Sequence, residues 1–230
     1  MVRFNNLSTE ESWRIYPLIA KNANTLLNSS ALLYKKDYVG PALSLLILGA
    51  EEYVKAVILL LHSHNINVFH VKEITEIFHK HKRKHEVAIF LELSNFVDLA
   101  MEFDKWNENR KTRRKFSFLD RFIENFKSFD KVLYPMAKMG ANITWWNNAD
   151  DYKKRGFYAD YTDELILPES ILGKEYINAS TVVKDLKKRY QFLHIIFERS
   201  PESEGQSIVK MLNDGIALFN SYESKNIKRK

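Results

Sequence analysis

The stretch Pro41–Leu61, PALSLLILGAEEYVKAVILLL, decides the fold. It is apolar on almost every face, yet Glu51, Glu52 and Lys55 sit at its centre. Its length would just span a bilayer, but each charge at mid-span costs about 2.5–3.5 kcal/mol on insertion scales. The stretch therefore reads as the buried central helix of a soluble bundle. Its polar cluster must find partners elsewhere in the core, because unpaired buried charge is expensive.

The flanks extend this reading. Upstream, Ser8 or Thr9 can cap a first helix, with Glu11 three residues after Ser8 as in a capping box. Ile15, Leu18, Ile19, Leu26 and Leu33 then recur at helical spacing out to about Tyr34. Lys35–Asp37 forms a turn, and Pro41 falls in the first turn of a second helix that begins near Tyr38 and runs to about His64. A third helix starts near Val71–Thr75, with Ile77, His81, Lys84, Ala88 and Leu91 on one face. Leu48, Glu51, Lys55 and Ile58 share a face of the second helix. Neighbouring helices that both carry polar residues at core positions are most simply explained if those residues face each other.

Further on, NENRKTRRK after Trp106 reads as a basic loop, and Phe116–Tyr134 as an aromatic-rich helix ended by Pro135. Residues 136–178, with Trp145, Trp146, KKRGFYADY and Pro168, read as an irregular insert. A helix over about Ser180–Phe197, a break at SPESEG, a last helix over about Gln206–Tyr222 and a solvated tail at 223–230 complete the chain. No repeat or low-complexity linker divides it, so a single domain over 1–230 is expected. Only 7 Gly and 5 Pro favour an all-α protein, and the absence of cysteine excludes thiolate metal sites and Cys nucleophiles. No signal peptide is visible in MVRFNNLSTEES, which leads to the expectation of a cytoplasmic protein with no membrane segment. The net charge of +6 leans mildly toward anionic partners such as RNA.

Several residue groups admit both a chemical and a structural reading. Glu51, Lys55, His81 and Lys84 could form a site for acid–base work or phosphate binding, or an ion-pair network that fixes helix register. His81 and His85 are four apart, as zinc ligands can be. HExxH is absent, however, and the lysines of HKHKRKH repel a cation, so neither a metal nor a cofactor is expected. Arg110, Lys111, Arg113, Arg114 and Lys115 can contact RNA phosphates or form a solvated loop. Arg155, Tyr158 and Asp160 can join in an internal ion pair with a hydroxyl anchor. Tyr38, Tyr53, Trp145 and Trp146 read as core or dimer contacts rather than base-stacking platforms.

Taken together, EEYVK, the following HKRK and the later RGFYADY with its downstream proline resemble the AbiV-type abortive infection proteins of the HEPN superfamily. The matching positions are Glu51, Glu52 and Lys55; His81 and Lys84; and Arg155, Tyr158 and Asp160. The resemblance implies an HEPN-like bundle of four core helices plus additional helices. It also implies a homodimer that acts in antiphage defence, with a phage-encoded trigger and an RNA or ribosome-associated target. Many members of the superfamily are metal-independent ribonucleases with an R-x4-6-H motif, which Arg189 and His194 fit; His194, on the apolar face beside Tyr190 and Phe197, reads equally as a core or interface histidine. In an unbroken helix that five-residue step turns the two side chains about 140° apart, so a shared site needs a helix start, a kink or a second subunit.

These expectations define three functions. In the first, triggered RNA cleavage has His194 or His81 moving protons. Arg189, Lys55 and Lys84 steady the phosphorane, and Glu51 or Glu52 orients a base or lysine. The second is a binding module that blocks the translation machinery or a nucleic acid without cleavage, and the third is a nucleotide-binding regulator.

Overall fold

The computed structural model describes residues 4–71, 118–161 and 163–199, together with 74, 78, 84–85, 87–89, 206, 209–210, 213–214 and 216–217. Helix α1, Thr9–Lys35, begins where the capping box places it. Ser8 Oγ accepts the Glu11 amide at 3.1 Å, and Glu11 Oε2 accepts the Ser8 amide at 2.7 Å. Ser8→Ala should cost about 1 kcal/mol, read as a lower urea midpoint at unchanged slope. Pro17 lies inside α1 and removes one backbone donor, yet the helix continues because Tyr16 before it and Ile19, Ala20 and Ala23 after it are buried. Leu18, expected to face the core, is 65% exposed. Tyr16 takes the inward position, and Leu18 lies roughly 200° round the helix from it.

Helix α2, Val39–Ser63, is the centre of the fold and packs against α1 and both later helices. Its buried positions include Ala42, Leu43, Ile47, Ala50, Val54, Val57, Leu59 and Leu60, which lie on every side of the helix. An all-round apolar helix is stable in water only when surrounded, and this one is. Asn24 of α1 adds a polar clamp, its Oδ1 accepting Tyr53 Oη at 2.8 Å and Lys187 Nζ at 2.7 Å.

Helix α3, Phe118–Phe157, continues past position 135, where the sequence suggested an end, and occupies most of the expected insert. A mid-helix proline costs about 3 kcal/mol. The buried stripe Asn142, Trp146, Ala149, Lys153 and Gly156 that follows outweighs that cost. The irregular part narrows to 158–172: a hairpin of β1, Asp160–Tyr161, and antiparallel β2, Leu165–Ile166, then a 3-10 turn at Pro168–Ser170. Helix α4, Gly173–Arg199, follows without interruption. Positions 84–85, 87–89, 206, 209–210, 213–214 and 216–217 are helical, in line with the expected third and last helices. Of the residues expected to form core or dimer contacts, Trp146 and Tyr53 lie in the core, Trp145 is half-buried and Tyr38 is exposed at the start of α2.

Helices α2 and α3 cross on glycines. A Cβ on Gly156 would lie 2.1 Å from Ser44 Oγ and 2.4 Å from the Gly40 carbonyl oxygen. A Cβ on Gly40 would lie 2.6 Å from the Pro168 carbonyl oxygen. At this crossing Ser44 Oγ donates to the Lys153 carbonyl at 2.7 Å. Gly156→Ala must push the helices apart and should destabilise by about 1–3 kcal/mol. An unchanged urea midpoint for that variant would contradict so close a crossing.

Candidate functional site

Two polar assemblies stand out, one in the core and one at an end of the bundle. In the core, Glu51 is 1% exposed and receives cations from two other helical segments. Its Oε1 lies 2.8 Å from Lys153 Nζ and 3.2 Å from His85 Nε2, and its Oε2 lies 3.2 Å from Lys84 Nζ. Lys153 also pairs with Asp150 at 3.0 Å, and Asp150 with Lys154 at 2.6 Å. Burial alone would raise the Glu51 pKa. The hydrogen bonds from His85 and Lys153 and the charge of Lys84 outweigh it and hold the carboxyl well below the usual range. A carboxylate ionised in this way, 1% exposed and met by three side chains, is placed to brace the core.

The expected pairing of Glu51 with Lys84 is present, but the rest of the cluster differs. Lys55 forms its ion pair with Glu52, on the partly exposed side of α2. Glu52 and Lys55 therefore form a local pair, separate from the core cluster. His81 lies outside the described residues, as do Arg110, Lys111, Arg113, Arg114 and Lys115. His85 and Lys153 supply the other contacts to Glu51. His85 follows Lys84 directly, and Lys153 belongs to the α3 stripe that the proline had hidden.

The expected trio of Arg155, Tyr158 and Asp160 does not come together. Arg155 Nη1 lies 3.8 Å from Glu175 Oε1, and Glu175 Oε2 accepts the Leu172 amide at 2.7 Å. Arg155 thus ties the end of α3 to the start of α4 across the hairpin. Tyr158 is exposed, and Asp160 Oδ1 accepts the neighbouring Tyr161 amide at 2.8 Å. The missing partner was Glu175, which no local motif connects to Arg155.

At the other assembly, His194 of α4 is part-exposed and contacts α1 as well as its own helix. Its Nδ1 lies 3.3 Å from Tyr16 Oη, its Nε2 lies 3.3 Å from Glu198 Oε1, and its ring stacks on Tyr190. Tyr16 is buried, and burial, with Tyr190 and Glu198 nearby, pushes its hydroxyl up to about 12, so it stays protonated. Nearby, His64 stacks on Phe197 and meets Trp13 edge-on, and His62 Nδ1 lies 2.8 Å from Ser12 Oγ. Burial lowers the pKa of both imidazoles, for His64 with the charge of His194 adding to it. Arg189 is half-buried on the same helix as His194. Because α4 is unbroken, a helix start or kink does not bring Arg189 and His194 together.

Among the described residues, no helix is long and apolar enough to cross a membrane. A family model for AbiV, of the HEPN type, matches residues 11–188, well over half of the chain. No curated protein and no solved structure matches.

Proposed function

The chain belongs to the AbiV family of HEPN proteins, a family of abortive-infection phage defence, and on that premise we propose that it is a metal-independent endoribonuclease built around His194. The observation that carries this reading is the setting of the imidazole. His194 is part-exposed, held at Nδ1 by a protonated Tyr16 and faced at Nε2 by a carboxylate. The Glu198 carboxylate can only accept and Tyr16 can donate to Nδ1, so Nε2 becomes the base when the exposed Glu198 side chain yields its place to the RNA 2′-hydroxyl.

In the reaction, His194 Nε2 takes the proton of an RNA 2′-hydroxyl, and the 2′-oxygen attacks the adjacent phosphorus. The 5′-oxygen then leaves with a proton from solvent. Products are a 2′,3′-cyclic phosphate and a 5′-hydroxyl. Glu198 stabilises the imidazolium that forms, and Arg189 steadies the phosphorane charge. Because α4 is continuous, Arg189 comes from a second copy, which makes the active form a homodimer. A phage-encoded protein is the proposed trigger. The Glu51 cluster is assigned to bracing and takes no part in the chemistry.

RNA ends sequenced after induction of the wild type, beside His194→Ala, test the reading. New ends bearing cyclic phosphate in the wild type alone are expected. Growth arrest with intact tRNA, rRNA and mRNA would instead establish a binding module that blocks the translation machinery.

A further inference from the structure

Beside the His194 assembly, the first turns of α1 and the end of α2 enclose an open cleft of about 400 Å³. That volume lies within the roughly 300–1,000 Å³ of ligand clefts. Its lining is mixed: Thr9, Glu10, Trp13 and Arg14 from α1, with Ser63 and Asn65 from the end of α2. Nothing in the catalytic reading uses these residues.

Trp13, Arg14, Ser63 and Asn65 have spare capacity, whereas the Glu10 carboxylate is already engaged by its own backbone, Ser8 and Thr9. Trp13 is 44% exposed even though its ring is fixed by two near-perpendicular contacts, to Tyr16 and His64. Arg14 is exposed, and its Nε makes a long 3.4 Å bond to the Glu10 carbonyl, so its terminal nitrogens remain available. Ser63 Oγ donates to Leu60 at 2.7 Å and keeps its acceptor lone pairs. Asn65 is exposed at φ 61°, a left-handed turn that carries it to the cleft rim. The turn is fixed by Asn213, which donates to the Asn65 carbonyl at 3.1 Å and accepts the Asn67 amide at 2.8 Å. Behind Trp13, His64 Nε2 is buried with no hydrogen-bond partner among the described residues.

A rigid aromatic ring with a guanidinium and a carboxylate on the same helix, and hydroxyl and amide groups opposite, match one ligand class. We propose that this cleft binds a single nucleotide unit of the RNA substrate, its base against Trp13, its phosphate on Arg14, and its polar edge toward Glu10, Ser63 and Asn65. Stacking on an aromatic ring accepts any base, and an arginine supplies the phosphate contact. The contact path Trp13–Tyr16–His194 joins the cleft to the proposed base. The proposal rests on the ribonuclease reading for the identity of the polymer, and on the cleft alone for base and phosphate.

Binding to the purified full-length chain tests it without any cleavage. AMP, GMP, CMP, UMP, adenosine and inorganic phosphate are titrated while the indole N–H signals are followed by NMR, with Trp13 assigned through Trp13→Phe. Saturable movement of the Trp13 signal by at least one mononucleotide is expected. Trp13→Ala should weaken binding roughly ten- to a hundredfold, while Trp13→Phe keeps most of it. Arg14→Gln should weaken the nucleotide about tenfold and leave adenosine unchanged. Circular dichroism confirms that each variant is folded. If no mononucleotide moves the Trp13 signal, or if Arg14→Gln weakens adenosine as much as AMP, the cleft assignment is overturned. Binding without RNA cleavage would support the cleft and refute the ribonuclease reading, and His194-dependent cleavage without binding would do the reverse.

Discussion

Glu51→Gln is expected to lower stability by about 3–5 kcal/mol, because it leaves lysines buried without their counter-charge. For a domain of this size that is a fall in melting temperature of roughly 6–20 °C. The cause is the geometry around one carboxylate: Lys153 at 2.8 Å, and Lys84 and His85 each at 3.2 Å, drawn from separate segments of the chain. Loss of the charge penalises all of these neighbours at once. Replacing the lysine as well, in Glu51→Gln with Lys153→Met, should recover part of the loss, since removing both partners costs less than stranding one. A single variant that melts within about 2 °C of wild type would show that the cluster does not brace the core.

The same carboxylate sets an acid limb of stability. Its folded pKa lies well below the ordinary 4.5. The unfolded chain therefore takes up the proton first as pH falls. The contribution is complete above about pH 4.5 and is lost as pH falls toward the folded value. Urea unfolding followed from pH 7 down to strongly acid solution should steepen below that point in the wild type. Glu51→Gln should be flatter over the same range, and parallel profiles would remove Glu51 as the titrating group.

How much of this was legible depended on whether the signal was local. The capping box at Ser8 and Glu11 is a four-residue pattern, and the helix starts there. The buried character of α2 follows from its composition alone, and the demand for a cation near Glu51 correctly pointed to Lys84. Lys153 was missed because Pro135 suggested a helix end. The four-three-four-three stripe Asn142, Trp146, Ala149, Lys153 and Gly156 has helical spacing, but only Trp146 and Ala149 in it are apolar. Gly156 and Lys153 do not announce a core face unless one knows that a glycine crossing and a buried carboxylate await them. Tyr16 and Glu175 are different. The contacts to His194 and Arg155 reach across the fold, and no spacing rule encodes them.

His194→Ala should reduce RNA cleavage by about 10²–10⁴-fold, the usual contribution of a general base, with little change in melting temperature because the ring is part-exposed. Tyr16→Phe should have a smaller effect, since it loosens Nδ1 without removing the base. The more searching measurement uses complementation. Arg189→Ala and His194→Ala are each inactive by expectation, but if the site combines Arg189 of one copy with His194 of the other, a mixed dimer carries one intact site. Random mixing yields half mixed dimers, so roughly a quarter of wild-type activity should return. A site made within one chain gives no recovery, since each protomer then lacks a residue of its own site. The continuous helix from Gly173 to Arg199 makes the first outcome the expected one, because five residues of regular helix separate the two side chains by about 140°. No recovery, with mixed dimers confirmed by differential tagging, would sink the two-copy site and with it the role assigned to Arg189.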